Sequence, residues 1–170
     1  MWYNVSMKII DNFIDNQDIV NDIQSTLLGN NFPYFYNNYV AEPTDHSDYY
    51  FNHILFHQNE VKSDYYNQIL SPLLGRLDYN YLIRGKINCY TRKEKHIEAG
   101  MHVDMNEKHF VGLYSVNTNN GYTMFEDGTK VKSVANQMII FDGRMKHCSA
   151  NQTDENLRIN ININLKWWTL

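Results

Sequence analysis

The chain has 170 residues, a formal net charge of -4 and an aromatic content of 14%, including 13 tyrosines. This length suits one domain with a full hydrophobic core, and the acidic balance argues against a nucleic-acid groove, which usually carries a basic excess. No stretch approaches the roughly 20 apolar residues of a membrane span, residues 1–4 are not expected to begin a signal peptide, and both cysteines are expected to be free thiols in a reducing cytoplasm.

The N-terminal part predicts one short strand and a first helix. Residues 8–10 form the strand. The helix is expected to begin at the N-cap Asp18 and to end at Gly29. Its apolar face has helical spacing and consists of Ile19, Val20, Ile23 and Leu27.

A second helix is predicted after an irregular, aromatic segment over residues 30–48. Ser63 is its expected N-cap, and apolar residues recur as far as Leu73. Pro72 falls inside this pattern, and proline removes a helical hydrogen bond, so we expect a break or a kink there.

From residue 82 onward, short strands alternate with turns. The predicted strands cover about 82–90, 101–103, 110–116, 122–126, 130–132, 137–141 and 157–168. Helices followed by many short strands indicate an α+β chain, mainly β, with a barrel or a jelly roll. Since no linker interrupts the pattern, we expect a single domain over residues 1–170, with a helical part over about 1–80 and a β-core over about 81–170.

The last predicted strand has strict alternation, so its two faces differ in character. One face is apolar, with Leu157, Ile159, Ile161, Ile163 and Leu165. The other face is polar, with Arg158, Asn160, Asn162, Asn164 and Lys166. The polar face could lie in water at a sheet edge. Alternatively, it lines the mouth of a barrel while the apolar face packs under the N-terminal helices.

A possible metal site consists of His102-Val-Asp104 and His147. Two imidazoles and one carboxylate are the ligands of a facial triad, which holds non-haem Fe(II) and leaves coordination positions open. An isolated H-x-D is a weak signal by itself. The apolar strand 138–141 directly before His147 strengthens it, because it places this residue at a strand end.

Between and after these ligands the chain carries a tyrosine strand at Tyr114, then Gly121-x-Thr123-x-Phe125, and an arginine, Arg158, about a dozen residues beyond His147. In these motifs the chain resembles the iron- and 2-oxoglutarate-dependent dioxygenases, in particular the prolyl-4-hydroxylase-like branch and its small phage-encoded members. The resemblance covers about residues 83–168. Asn120 departs from it, since the family often has glycine there.

The resemblance implies a double-stranded β-helix, a cupin-like jelly roll, with the N-terminal helices packed on one sheet. It implies that His102, Asp104 and His147 are the catalytic metal ligands and that Arg158 pairs with the distal carboxylate of 2-oxoglutarate. Tyr90 and Tyr114 match positions whose phenols reach 2-oxoglutarate, and Thr123 is a further pocket candidate. The implied cofactors are Fe(II), 2-oxoglutarate and O2, with ascorbate as the expected reductant.

The expected function is hydroxylation of a peptide or protein, at proline by analogy with the family, in the cytoplasm or in a host's cytoplasm if a phage encodes the chain. The alternatives are an oxidative hydroxylase or dealkylase of nucleic acid or of a small molecule, and a non-catalytic, cupin-like metal-binding module. Nucleic-acid dealkylases carry a second arginine six residues after the clamp, where this chain has Asn164. Residues 91–100 are a candidate lid or a solvated loop, and no membrane partner is expected.

Overall fold

Strands outweigh helices in the computed structural model, which describes residues 7–40 and 49–167. The strands are β1 Met7–Ile10, β2 Phe35–Asn37, β3 Tyr50–His57, β4 Glu60–Val61, β5 Tyr81–Thr91, β6 Phe110–Ser115, β7 Asn119–Phe125, β8 Lys130–Ser133, β9 Gln137–Asp142, β10 His147–Ala150 and β11 Leu157–Lys166. The helices are α1 Gln17–Leu27, a π-helical turn Tyr66–Leu70 and α2 Ser71–Leu74. Within the described ranges no helix is long and apolar enough to cross a membrane.

Two antiparallel sheets make up the framework. The larger has the order β1-β9-β6-β11-β5-β3-β2, with β4 added to β3, and the smaller has the order β10-β7-β8. A buried cluster joins their facing sides, with Leu113 and Phe141 from the larger sheet and Phe125 and Val131 from the smaller one. This is the arrangement of a jelly roll.

Strand β11 lies at the centre of the larger sheet, between β5 and β6. Ile159, Ile161 and Ile163 are fully buried in a core cluster that also contains Ile23 and Leu27 of α1. Full burial of one such side chain stabilises the fold by about 1.5–3 kcal/mol. The apolar row therefore packs under the N-terminal helices, as the second of the two sequence interpretations predicted.

The N-cap of the first helix lies two residues before the predicted one, Asp18. Asn16 is the N-cap, because its side chain accepts a hydrogen bond from the backbone N–H of Asp18 at 2.9 Å. Asp18 instead lies in the first turn, where an acidic side chain is attracted to the positive end of the helix dipole. At the other end the helix stops at Leu27, and Gly29 follows its C-cap.

The second helical region is broken, as Pro72 predicted. The π-helical turn ends at Leu70, and Pro72 lies in the first turn of α2, where the missing N–H costs nothing. The prediction of Ser63 as the N-cap was wrong, because the helical region begins after Tyr65, which has no side-chain cap. The Ser63 hydroxyl instead accepts a hydrogen bond from the backbone N–H of Tyr65 at 3.2 Å in the preceding turn.

The N-terminal part is not only helical, which corrects the expected division at residue 80. Strand β3 pairs with β5 and belongs to the larger sheet. A register shift between Ile54 and Phe56 interrupts its alternation, so no period-2 pattern predicted a strand there. Residues 101–103 form an isolated bridge through His102 instead of a strand. Part of the predicted irregular segment, 41–48, and the last predicted strand residue, 168, lie outside the described residues.

Candidate functional site

Three side chains from separate parts of the fold meet at one end of the smaller sheet. His147 is the first residue of β10, while His102 and Asp104 lie in the extended segment between β5 and β6. His102 and His147 exchange two backbone hydrogen bonds of 3.0 and 2.9 Å. Their ligand atoms and those of Asp104 lie within 4.8 Å of one another, so these three residues could hold one metal ion.

Both histidines are oriented by backbone carbonyl groups. The Nδ1 atoms of His102 and His147 each lie 3.0 Å from a carbonyl oxygen, that of Gly100 and that of Met145 respectively. In the neutral ring Nδ1–H then donates to the carbonyl, and the Nε2 lone pair is left for a metal. Burial lowers the pKa of His147, which favours this neutral form.

Asp104 is held by three side chains that the sequence did not single out as partners. Its Oδ2 accepts hydrogen bonds from the amides of Asn162 at 3.0 Å and Asn164 at 2.8 Å. A guanidinium nitrogen of Arg84 lies 3.6 Å from its Oδ1. Burial alone would raise the pKa of the Asp104 carboxyl, but Arg84 and the two amides outweigh it and hold the pKa well below its usual range. The carboxylate is therefore ionised, and its Oδ1 faces His102 at 4.0 Å.

Arg158 is a buried cation whose hydrogen bonds go to hydroxyl groups. Its Nε donates to Ser133 at 2.8 Å, and its two terminal nitrogens donate to Ser149 at 2.5 Å and to Thr123 at 3.3 Å. Its guanidinium also lies 5.3 Å from the centre of the Tyr90 ring. None of the ion pairs among the described residues includes Arg158, although only 2% of its surface is exposed. A buried charge without a counter-ion is costly, so this position is suited to an anionic ligand.

Gly121 makes the close approach to Arg158 possible. A Cβ atom at this position would lie 2.6 Å from Cδ of Arg158 and 3.0 Å from the carbonyl oxygen of Ala150. The first distance requires the arginine stem to shift, and the second requires the backbone near Ala150 to give by a few tenths of an ångström. The glycine of the Gly-x-Thr-x-Phe motif therefore leaves room for the arginine stem.

One cavity connects the possible metal ligands with the surroundings of Arg158. It is partly open, and its empty volume of about 450 Å³ includes space that is continuous with solvent. Its lining includes His102, Asp104, His147, Tyr90, Thr123, Ser149, Asn160 and Asn162. Asn160 and Asn162 of the β11 polar face thus line the cavity, and Arg158 lies directly behind two of its lining residues, Ser149 and Thr123.

Tyr90 and Thr123 line the cavity, and their contact with 2-oxoglutarate stays a prediction, whereas Tyr114 does not line it. Tyr90 lines the cavity, and burial raises its pKa to about 12, so the phenol is neutral. The prediction for Tyr114 was wrong: its hydroxyl donates to Asn136 at 3.2 Å, and its ring packs 6.4 Å from Phe13 in the main core. Alternation along β6 turns Leu113 towards the cavity and Tyr114 away from it.

The candidate lid, residues 91–100, is attached to the smaller sheet. Glu98 accepts hydrogen bonds from the hydroxyl of Tyr122 at 2.5 Å and from Lys130 at 2.9 Å. The backbone N–H of Ile97 donates to the side chain of Asn151 at 2.5 Å. Whether this loop covers a substrate stays a prediction.

Cys148 lines the cavity beside His147, and burial raises the pKa of its thiol.

Comparison with known proteins shows the fold. No family model and no curated protein matches the sequence. A viral collagen prolyl hydroxylase from Paramecium bursaria Chlorella virus-1, solved with 2OG, is similar in structure, with a TM-score of 0.62, 11% identity and coverage of 97% of this chain and 98% of that one. A Trichoplax adhaerens prolyl hydroxylase in complex with a hypoxia inducible factor peptide gives 0.63 at 12% identity, with coverage of 97% and 86%.

A third protein of similar structure catalyses a different reaction. The α-ketoglutarate-dependent epimerase SnoN from nogalamycin biosynthesis has a TM-score of 0.63 and 11% identity, with coverage of 98% of this chain and 79% of that one. The chain therefore has the double-stranded β-helix fold of the 2OG-Fe(II) oxygenases, which confirms the predicted fold class. Because this fold supports more than one reaction, activity has to be argued from the site.

Proposed function

We propose that this chain is an Fe(II)- and 2-oxoglutarate-dependent dioxygenase that hydroxylates a peptide or protein, most simply at proline. One observation carries the proposal: a cavity lined by His102, Asp104 and His147 also reaches the neighbours of Arg158, a buried cation outside every described ion pair. A module that only binds a metal would not need this arginine, and a buried guanidinium is the preferred partner of a carboxylate.

Each residue then has a separate task. His102, His147 and Asp104 would hold the iron, and the amides of Asn162 and Asn164 fix the orientation of the Asp104 carboxylate. Arg158 would pair with the distal carboxylate of 2-oxoglutarate, while Tyr90 shields that pair from water. Bound Fe(II) with 2-oxoglutarate and O2 supplies the oxidising power for inserting oxygen into a C–H bond.

A peptide substrate is supported by exposed aromatic side chains on the edge of the larger sheet. Phe35, Tyr36 and Tyr49 are exposed on β2 and directly before β3, and Tyr50, the next residue in the chain, lines the cavity. Aromatic side chains of this kind suit an extended peptide. One structural neighbour is a prolyl hydroxylase with a bound peptide, and the net charge of -4 disfavours a polyanion. The two free cysteines are consistent with a reducing cytoplasm as the place of reaction.

The test is to incubate the purified chain with Fe(II), 2-oxoglutarate, ascorbate and a panel of proline-containing peptides. We expect succinate, together with a gain of one oxygen on proline by mass spectrometry. Asp104→Ala should abolish both, while Asp127→Ala, which removes an exposed carboxylate in a turn, should not. Turnover only with methylated oligonucleotides or with a free metabolite would refute the peptide assignment and leave the iron chemistry in place. A metal bound through other side chains would refute the site itself.

A further inference from the structure

A second positive region lies on the same wall of the cavity, on the strand next to β11. Strand β5 pairs with the polar row of β11 residue by residue, with Tyr90 opposite Arg158, Lys86 opposite Asn162 and Arg84 opposite Asn164. Because alternate residues share a face, the side chains of Arg84, Lys86, Asn88 and Tyr90 belong to the same wall as the β11 polar row. Arg84 faces Asp104 at 3.6 Å, whereas Lys86 has no task in the chemistry described above.

Lys86 lines the cavity without an acidic partner. Its ammonium group donates to the hydroxyl of Tyr50 at 3.1 Å and lies 5.3 Å from the centre of that ring. None of the ion pairs in residues 7–40 and 49–167 includes it. A half-buried ammonium group whose hydrogen bond among the described residues goes to a phenol, and not to a carboxylate, retains a strong preference for an anion.

The charges around the cavity do not balance. Among the described residues that line it or bond to its lining, the cations are Arg84, Lys86 and Arg158, and Asp104 is the single carboxylate. On the proposed function, Fe(II) and the 2-oxoglutarate dianion add equal and opposite charge, so the positive excess remains when both are bound. Arg158 is occupied by 2-oxoglutarate and Arg84 already faces Asp104, so Lys86 is left for the substrate.

We propose that Lys86 selects a peptide carrying an acidic side chain close to the residue that is hydroxylated. This inference rests on the proposed function and names its substrate class. Lys86 pairs with Asn162, whose amide contacts Asp104, and Lys86 and the three possible metal ligands line the same cavity. An extended peptide advances about 3.3–3.6 Å per residue, which places the acidic side chain within about two residues of the reacting one. A single carboxylate suits this local cation, whereas a polyanion would meet the net charge of -4 on the whole chain.

Matched peptides test this directly. Two fluorescent proline peptides differ only in having glutamate or glutamine beside the proline. Their binding is measured by anisotropy with Mn(II) and 2-oxoglutarate present, and their hydroxylation is measured separately with Fe(II). We expect the glutamate peptide to bind about tenfold more tightly. Lys86→Gln should remove this preference, Lys86→Arg should retain it, and Lys132→Gln, at an exposed position of β8, should leave it unchanged.

Each outcome separates this inference from the proposed function. Equal binding of both peptides, or a preference that persists in Lys86→Gln, overturns the role of Lys86 even if proline is hydroxylated. A preference that depends on Lys86, without hydroxylation of either peptide, supports the role of Lys86 and contradicts the proposed reaction. If an oligonucleotide binds more tightly than the glutamate peptide and displaces it, and if this displacement depends on Lys86, then the anion that Lys86 recognises does not come from a peptide.

Discussion

Replacing Arg158 by lysine keeps the buried positive charge and removes its forked geometry. The guanidinium is fixed on three sides by the hydroxyls of Ser133, Ser149 and Thr123. A carboxylate can bind it through two parallel N–H groups, whereas a lysine ammonium offers a point charge. Losing one charge-assisted hydrogen bond costs about 1.5–3 kcal/mol, which corresponds to a one- to two-order-of-magnitude loss of 2-oxoglutarate affinity.

The assay is calorimetric titration of 2-oxoglutarate into the Mn(II)-loaded protein. Metal affinity should not change, because none of the described hydrogen bonds of Arg158 goes to a possible metal ligand. Arg144→Lys is the matched control, since Arg144 is exposed and pairs with Asp142 at 2.7 Å. If Arg158→Lys and Arg158→Ala both bind 2-oxoglutarate within about twofold of the unchanged protein, another residue is the clamp and the reasoning fails.

Three further changes test other parts of the site and core. Gly121→Ala would place Cβ 2.6 Å from Cδ of Arg158, so calorimetry should show about tenfold weaker 2-oxoglutarate binding with unchanged Mn(II) affinity. Asn164→Ala removes the amide that donates to Asp104 at 2.8 Å, so Mn(II) titration should show about 10–100-fold weaker binding, whereas Asn160→Ala should not. Above pH 9 the free energy of unfolding should fall, because burial raises the pKa of three groups to about 12: Cys89, Tyr90 and Tyr114. Their ordinary values are 9.0, 10.0 and 10.0, so the unfolded chain loses these protons first, and each group costs about 1.4 kcal/mol per pH unit between its two values. Urea unfolding at pH 8 and pH 11 measures the loss, and equal stability at both values would contradict it.

Strong periodicity made β11 predictable in detail. Its alternation correctly assigned the isoleucines to the core under α1 and the asparagines to the cavity. The same rule exposes the error at Tyr114, because residues 111 and 113 of β6 face the smaller sheet and residue 114 must then face the helices. The family motif predicted a strand at Tyr114, but it did not determine which side chains of that strand face the cavity.

Other features left no readable signal in the sequence. A register shift interrupts the alternation of β3. The short β10 begins at His147, which the sequence indicated only as a metal ligand. The contacts of Asp104 with Arg84 and Asn164 join residues 20 and 60 positions away in the chain. Such pairing depends on the register of β5 against β11, which local patterns do not determine.

The two halves of the site differ in how they are attached to the fold. Arg158 and Asn164 lie on the central strand, whose amides are bonded on both sides. His102 and Asp104 lie in residues 92–109, a segment joined to the sheets by isolated bridges, one at Glu98 and one at His102. Opening of the central strand requires global unfolding, whereas this segment can open at much lower free energy. A metal ion held by His102, Asp104 and His147 would tie this segment to β10 of the smaller sheet. Amide exchange in residues 92–109 would then become a measure of metal occupancy.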